Sequence, residues 1–266
     1  MIEVYADGLK FDYTHFNFPG GEQQVRVLLD TQPRRVEFVW KYENDAEYLK
    51  LALLNDAVQQ QYPKVERTLF VSYLPYARQD RVCSPGEANS FAVMCSLINQ
   101  LKFMTVICDD PHNEKLAYES IDNLVVWKQA ACLEAALYDN SIDGPVPTWL
   151  VFPDAGAQKK RPDYERYSIF DECNFATGSK LRDPLTGALS GFDVDVLDFE
   201  GADVMIVDDI CDGGGTFLGL GAVLKSRNCG KMSLYTTHGI YSKGKEALEA
   251  MFDGGVFCYN DMSKKG

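Results

Sequence analysis

The chain has 266 residues, 46% hydrophobic and 24% charged, with a formal net charge of −13, a length that suits one large or two ordinary globular domains. That charge repels a polyanion, which excludes nucleic acid as the expected partner and favours small ligands, and no apolar run approaches the roughly 18 residues of a membrane span. Eight cysteines without a close pair, and a start, MIEVYADGLKFDY, with neither the basic flank nor the apolar core of a signal peptide, predict a cytoplasmic protein with reduced thiols.

In chain order, strands are predicted at 24–29 (QVRVLL) and 35–40 (RVEFVW), then a helix at 46–62, a strand at 67–73 (RTLFVSY), a helix at 89–101 and a strand at 103–108 (FMTVIC). A helix at 128–138 precedes SIDGPVPT (141–148), whose glycine and two prolines interrupt both periods and mark a linker. Strands follow at 148–152 (TWLVF), 166–170 (RYSIF), 203–207 (DVMIV) and 233–238 (SLYTTH), with a helix at 216–227. Strands alternating with helices predict an α/β protein with mostly parallel sheets. The linker divides it into residues 1–145 and 146–266.

The most informative stretch is DVMIVDDICDGGGT (203–216). Just past the carboxyl end of the buried parallel strand DVMIV, Asp208 and Asp209 stand where open α/β sheets bind ligands. Asp212, Gly213, Gly214, Gly215 and Thr216 then lead into a helix, so that free amides, a hydroxyl and a helix dipole converge on one point. Such a point suits a phosphate, and the acids suit sugar hydroxyls. Gly213, Gly215 and Gly219 fit the dinucleotide fingerprint badly, and a Walker A loop is absent. On composition alone, the charges of ARQDR also fit a solvated turn, a lone His112 fits a structural histidine, and Lys180 and Arg182 fit surface charges.

VDDICDGGGT resembles the ribose 5-phosphate loop of phosphoribosyltransferase-fold proteins, and YLPYARQDR (73–81) resembles the ATP-binding segment of ribose-phosphate diphosphokinases, the phosphoribosyl pyrophosphate (PRPP) synthetases. The likeness runs in order through FPGGEQQVRV (18–27), PYARQDR, DDPHNE (109–114), IDNL (121–124), FPDAGAQKK (152–160), SKLR (179–182), the phosphate loop and THG (237–239). It implies two tandem phosphoribosyltransferase-like domains and Mg²⁺-dependent transfer of a diphosphoryl group from ATP to the C1 hydroxyl of ribose 5-phosphate, giving PRPP and AMP. A non-catalytic regulatory relative and a PRPP-consuming transferase are the alternatives.

The resemblance also implies roles. Phe18 and Glu22 would reach the adenine of a neighbouring subunit, in a homo-oligomer (dimer or hexamer) with shared active sites, although Gly20 stands where Asp or Asn is usual. Arg78 and Gln79 would touch ATP, and His112 and Asp154 would coordinate Mg²⁺ on its phosphates. Asp154, Ala155, Gly156 and Ala157 resemble the pyrophosphate loop, with Ala157 replacing a second glycine. Lys180 and Arg182 would stabilise the transferring group from a mobile lid, ECNFATGSKLRDPLTGALSGFD (172–193). The chain stops soon after VFCYND (256–261), where family members usually continue, and DDPHNE replaces a serine-bearing loop. Together these predict hyperbolic kinetics without allosteric control.

Overall fold

The computed structural model describes residues 1–29, 31–139, 141, 142, 145–182 and 189–263, with the backbone alone at Arg182, Leu189 and Ser190. The chain divides into two compact units, Met1–Trp127 and the segment from Lys128 onward.

The first unit holds β1 (Ile2–Ala6), β2 (Leu9–Phe11), β5 (Arg35–Trp40), β6 (Glu66–Val71), β7 (Thr105–Asp109) and β8 (Leu124–Trp127) in one sheet of order β2-β1-β5-β6-β7-β8. Strands β5 to β8 are parallel, and β1 pairs antiparallel with both β5 and β2. α1 (Ala46–Gln61), α2 (Ser90–Gln100) and α3 (Glu114–Ser120) make the crossovers. Leu51, Leu54 and Val58 of α1, spaced at helical intervals, bury one stripe in the core formed with Val36, Phe38 and Trp40 of β5 and Leu69 of β6. β3 (Thr14–Asn17) and β4 (Gln23–Arg26) form a separate hairpin, so the strand expected over 24–29 ends at Arg26 and belongs to this arm instead of the main sheet.

In the second unit, α4 (Gln129–Tyr138) precedes β9 (Trp149–Phe152), α5 (Arg161–Tyr164), β10 (Asn174–Arg182), β11 (Leu189–Val194), β12 (Val204–Cys211), α6 (Gly215–Ser226), β13 (Met232–Gly239), α7 (Glu246–Met251) and β14 (Gly255–Asp261). The sheet order is β11-β10-β9-β12-β13-β14, parallel except at β11. Alternation along β12 explains its continuous apolar reading. Val204 and Ile206 join one core cluster with Phe217, Leu220 and Leu224 of α6, while Met205 and Val207 join the other with Ala130 and Leu133 of α4. Both faces are buried, so no polar position is needed.

Three expectations are corrected. The unit boundary lies before α4, because Ala130, Leu133 and Ala136 pack into the second core with Leu150 and Tyr235, while Lys128 Nζ pairs with Asp163 at 3.1 Å and the Tyr164 hydroxyl donates to Gln129 at 2.8 Å. Residues 166–170 are not a strand. Ser168–Phe170 form a 3₁₀ turn that brings Phe170 edge-on to Tyr164, ring centroids 5.2 Å apart. The segment read as an aperiodic lid is mostly a pair of strands, with Lys180 opposite Phe192 and Gly178 opposite Val194; residues 183–188 of that segment lie outside the described ones.

α6 crosses β11 closely because Gly219 has no side chain: a Cβ there would fall within the Phe192 ring. Gly219→Ala is expected to cost about 1–3 kcal/mol through overpacking. Combining it with Phe192→Ala should cost less than the sum of the two single changes in urea titrations.

Candidate active site

The order of the second sheet reverses between β9 and β12, since β10 and β11 follow β9 on one side and β12 lies on the other. Open α/β sheets bind ligands at such a point. The ladder makes the crevice explicit. β12 pairs with β9 only through Val204, Met205 and Ile206, whereas it stays paired with β13 as far as Cys211 opposite Gly239. Asp208 and Asp209 therefore lie within the strand, not beyond its end as the sequence implied, along the part of β12 that has outrun β9.

Asp209 is buried at 7% exposure, and its amide donates to Asp208 Oδ1 at 2.9 Å. Burial, then the charge of Asp209 and a hydrogen bond between the two side chains, push the Asp208 carboxyl well above the ordinary range. Lys160, half-buried in the turn after β9, offsets part of this. Sequence reasoning quoted Lys160 within FPDAGAQKK without assigning it a role.

The chain then forms the glycine loop. Gly214 has a left-handed backbone (φ 74°) and caps α6 with no side-chain hydrogen bond. A Cβ at 214 would also press on Leu248 at 3.1 Å. The first-turn amides of α6, from Gly215 and Thr216 onward, have no intrahelical partner and keep their donors for a ligand. α6 begins at Gly215, one residue earlier than expected. Asp212 Oδ1 accepts a hydrogen bond from the Ser242 hydroxyl at 2.5 Å.

Across the crevice, Asp154 follows β9. Its Oδ1 accepts from the amides of Gly156 and Ala157 at 2.9 and 3.1 Å, and its Oδ2 pairs with Lys180 Nζ at 3.2 Å. Burial raises its pKa, but the Ala157 amide, Lys180 and the Gly156 amide outweigh that effect and hold the carboxyl below the usual range. Ala155 and Gly156 are exposed, whereas the Ala157 methyl is buried in the core with Phe152 and Tyr164, so it does not crowd the ligand side of the loop. The structure thus brings together Asp154, Lys180 and the turn carrying Lys160 on one side of the crevice. Arg182 ends β10, and its side chain lies outside the described residues.

The first unit carries the other predicted residues. Arg78 and Gln79 follow β6 and are exposed, held outward by buried Leu74 and Ala77. Tyr76 takes a left-handed backbone (φ 62°), and its hydroxyl donates to Asp45 Oδ1 at 2.7 Å. His112 follows β7, the strand adjacent to β6, and is exposed. The two loops are linked by Asn113 Nδ2 donating to Asp80 Oδ2 at 2.9 Å, a contact with no signal in the sequence pattern. Phe18 lies at the tip of the β3–β4 arm, half-exposed and edge-on to Phe16 at 5.4 Å. The Glu22 carboxylate folds back over Gly20, with Oε2 2.5 Å from where a Cβ would stand, so Gly20 makes room for it.

Among the described residues, no three His, Cys, Asp or Glu side chains form a metal-holding group, and no helix is long and apolar enough to cross a membrane. No family model matches the chain. It is similar to the ribose-phosphate pyrophosphokinase of Thermococcus kodakarensis, 30% identical over 234 residues that cover 85% of this chain and 77% of that protein. The proteins of the same name from Aquifex aeolicus (29% identity, 85% and 70% covered) and Saccharolobus solfataricus (28%, 76% and 67%) are also similar. Among solved structures, the phosphoribosylpyrophosphate synthetase of Mycobacterium smegmatis shares the fold, with a TM-score of 0.69 at 21% identity over 91% of this chain and 77% of that one.

The raised pKa of Asp208 has a consequence for stability. The native carboxyl holds its proton more tightly than the unfolded chain does, so its charge costs stability above the native pKa and costs nothing below the unfolded one. Asp208→Asn is expected to raise the thermal unfolding midpoint at pH 7. The gain should shrink as pH falls through that window and vanish below about pH 4, which melts across pH 3–8 would check.

Proposed function

The chain belongs to the ribose-phosphate pyrophosphokinase family, and we propose that it transfers the diphosphoryl group of ATP to the C1 hydroxyl of ribose 5-phosphate. The observation that carries this reading is the switch-point crevice, where a glycine loop for a phosphate, a carboxylate pair for a sugar and a lysine for a polyphosphate share one sheet edge. Residues 212–216 would hold the 5-phosphate through backbone amides and the Thr216 hydroxyl, and Asp208 and Asp209 would accept hydrogen bonds from ribose hydroxyls. Arg78, Gln79 and His112 would hold ATP. Phe18 and Glu22, at the end of the β3–β4 hairpin, would contact the nucleotide of a neighbouring protomer in a homo-oligomer.

In the reaction, the C1 oxygen forms a bond to the β-phosphorus, the bond from that phosphorus to the α,β-bridging oxygen breaks, AMP leaves with the electron pair, and the hydroxyl proton passes to solvent. A loose transition state asks little of a general base and much of surrounding positive charge. Lys180 and Arg182, on β10, would supply it, and the turn of Ala155 to Ala157, whose Gly156 and Ala157 amides are held by Asp154, would seat the diphosphoryl group. Asp154 fits Mg²⁺, being ionised, half-exposed and an oxygen donor; His112 would be the second, nitrogen, ligand. Bound Mg²⁺ would neutralise phosphate charge.

AMP is expected to form from ATP only when ribose 5-phosphate is present, in step with PRPP. AMP formed equally without the sugar phosphate, or not formed with it, would overturn the assignment. Lys180→Ala should lower kcat by on the order of 10²-fold or more with ATP affinity retained, because the cation acts on charge that develops during transfer. A change confined to KM would instead make Lys180 a ground-state contact.

A further inference from the structure

Beyond Gly239 the chain folds back over the end of β12. The Ile240 and Tyr241 amides both donate to the Cys211 carbonyl, at 2.8 and 3.1 Å, and Tyr241 adopts a left-handed backbone (φ 51°) with its ring buried. This anchor sets the next two side chains on the glycine loop. Ser242 holds the Asp212 carboxylate, and the stem of Lys243 lies across Gly213, with Cε 3.4 Å and Cδ 3.5 Å from where a Cβ at 213 would stand.

The neighbouring lysines are committed elsewhere. Lys245 pairs with Asp261 at 2.9 Å and lies 4.3 Å over the Tyr241 ring, and Lys180 pairs with Asp154. Among the described residues Lys243 has no hydrogen bond or ion pair, and it is exposed. In a chain with 39 acidic and 26 basic residues, this is an ammonium kept beside an anion loop with no carboxylate to neutralise it. Asp212, the acid that opens the loop, accepts a hydrogen bond from Ser242.

We propose that Lys243 binds the terminal phosphate of the sugar-phosphate substrate, adding a side-chain cation to a loop whose other donors are backbone amides and Thr216. This rests on the reading of residues 212–216 as the phosphate site. A point charge on a flexible stem suits one face of a phosphate already seated on amides. Lys243 therefore sets the preference for a phosphorylated over an unphosphorylated sugar.

Calorimetric titration of ribose 5-phosphate and of ribose into the wild-type protein and Lys243→Met tests this. Ribose 5-phosphate should bind Lys243→Met on the order of 10-fold or more weakly, the loss of one charged hydrogen bond, with ribose and ATP unaffected, and Lys243→Arg should restore most of the affinity. Lys225→Met, near the other end of α6, removes the same charge and should leave ribose 5-phosphate binding intact. Raised salt should narrow the gap between wild type and Lys243→Met. Equal binding by wild type and Lys243→Met, an equal loss in Lys225→Met, or an equal loss for ribose would each overturn the proposal. If Lys243-dependent binding is found but no AMP is made from ATP, the phosphate contact stands and the transfer reading fails. If the wild type does not bind ribose 5-phosphate, both fall.

Discussion

Two carboxylates on one strand, Asp208 and Asp209, cannot both be charged cheaply where β12 places them, and much of the second unit is arranged around that cost. The pair lies where β12 has lost β9 and kept β13, so the backbone remains ordered on one side while the other opens to a ligand. Lys160 offsets part of the negative field, and burial with mutual repulsion keeps the Asp208 proton bound more tightly than usual. A folded core would gain from removing such a pair. A sugar with several hydroxyl donors, as proposed for this site, would satisfy both acids at once.

The same principle of unsatisfied groups held in a rigid frame governs the rest of the crevice. The first amides of α6 have no intrahelical partners, and the left-handed Gly214 aims them together. Asp154, by contrast, is fully engaged, with one oxygen on two amides and the other on a lysine. One rim of the crevice is prepared for an anion and the other for a cation. Such a pairing would suit the sugar phosphate and metal-bound nucleotide proposed for this member of the ribose-phosphate pyrophosphokinase family.

The parallel strands were readable because burial on both faces removes polar positions, as in DVMIV. The glycine loop was readable because an acid, three glycines and a threonine in that order serve few other purposes. β12 was read too short, since a hydrophobic criterion stops at Val207 while the ladder continues through two acids to Cys211. The β10–β11 pair was missed because Gly178 and Gly191 interrupt the alternation, although at Gly178 the absent side chain permits close packing against Pro153 and Leu220. RYSIF has strand composition, but Tyr164, Tyr167 and Phe170 satisfy their burial as an aromatic cluster on a turn. Lys160, Ser242 and Lys243 left no periodic trace, because their significance depends on which loops the fold brings side by side.

The pair between Lys180 and Asp154 makes the two partners mutually exclusive in their further engagements. Asp154 Oδ2 cannot serve a second cation without loosening its hold on the lysine, and both side chains are about a third or more exposed, so the bond is worth only about 0–1 kcal/mol. If Asp154 holds a divalent ion as proposed, Lys180 would give up this pair at little expense and be free to meet phosphate charge. The pair keeps the lysine's charge neutralised while the crevice is empty of ligand, and the arrival of a metal-bound anion would be the same event that releases it.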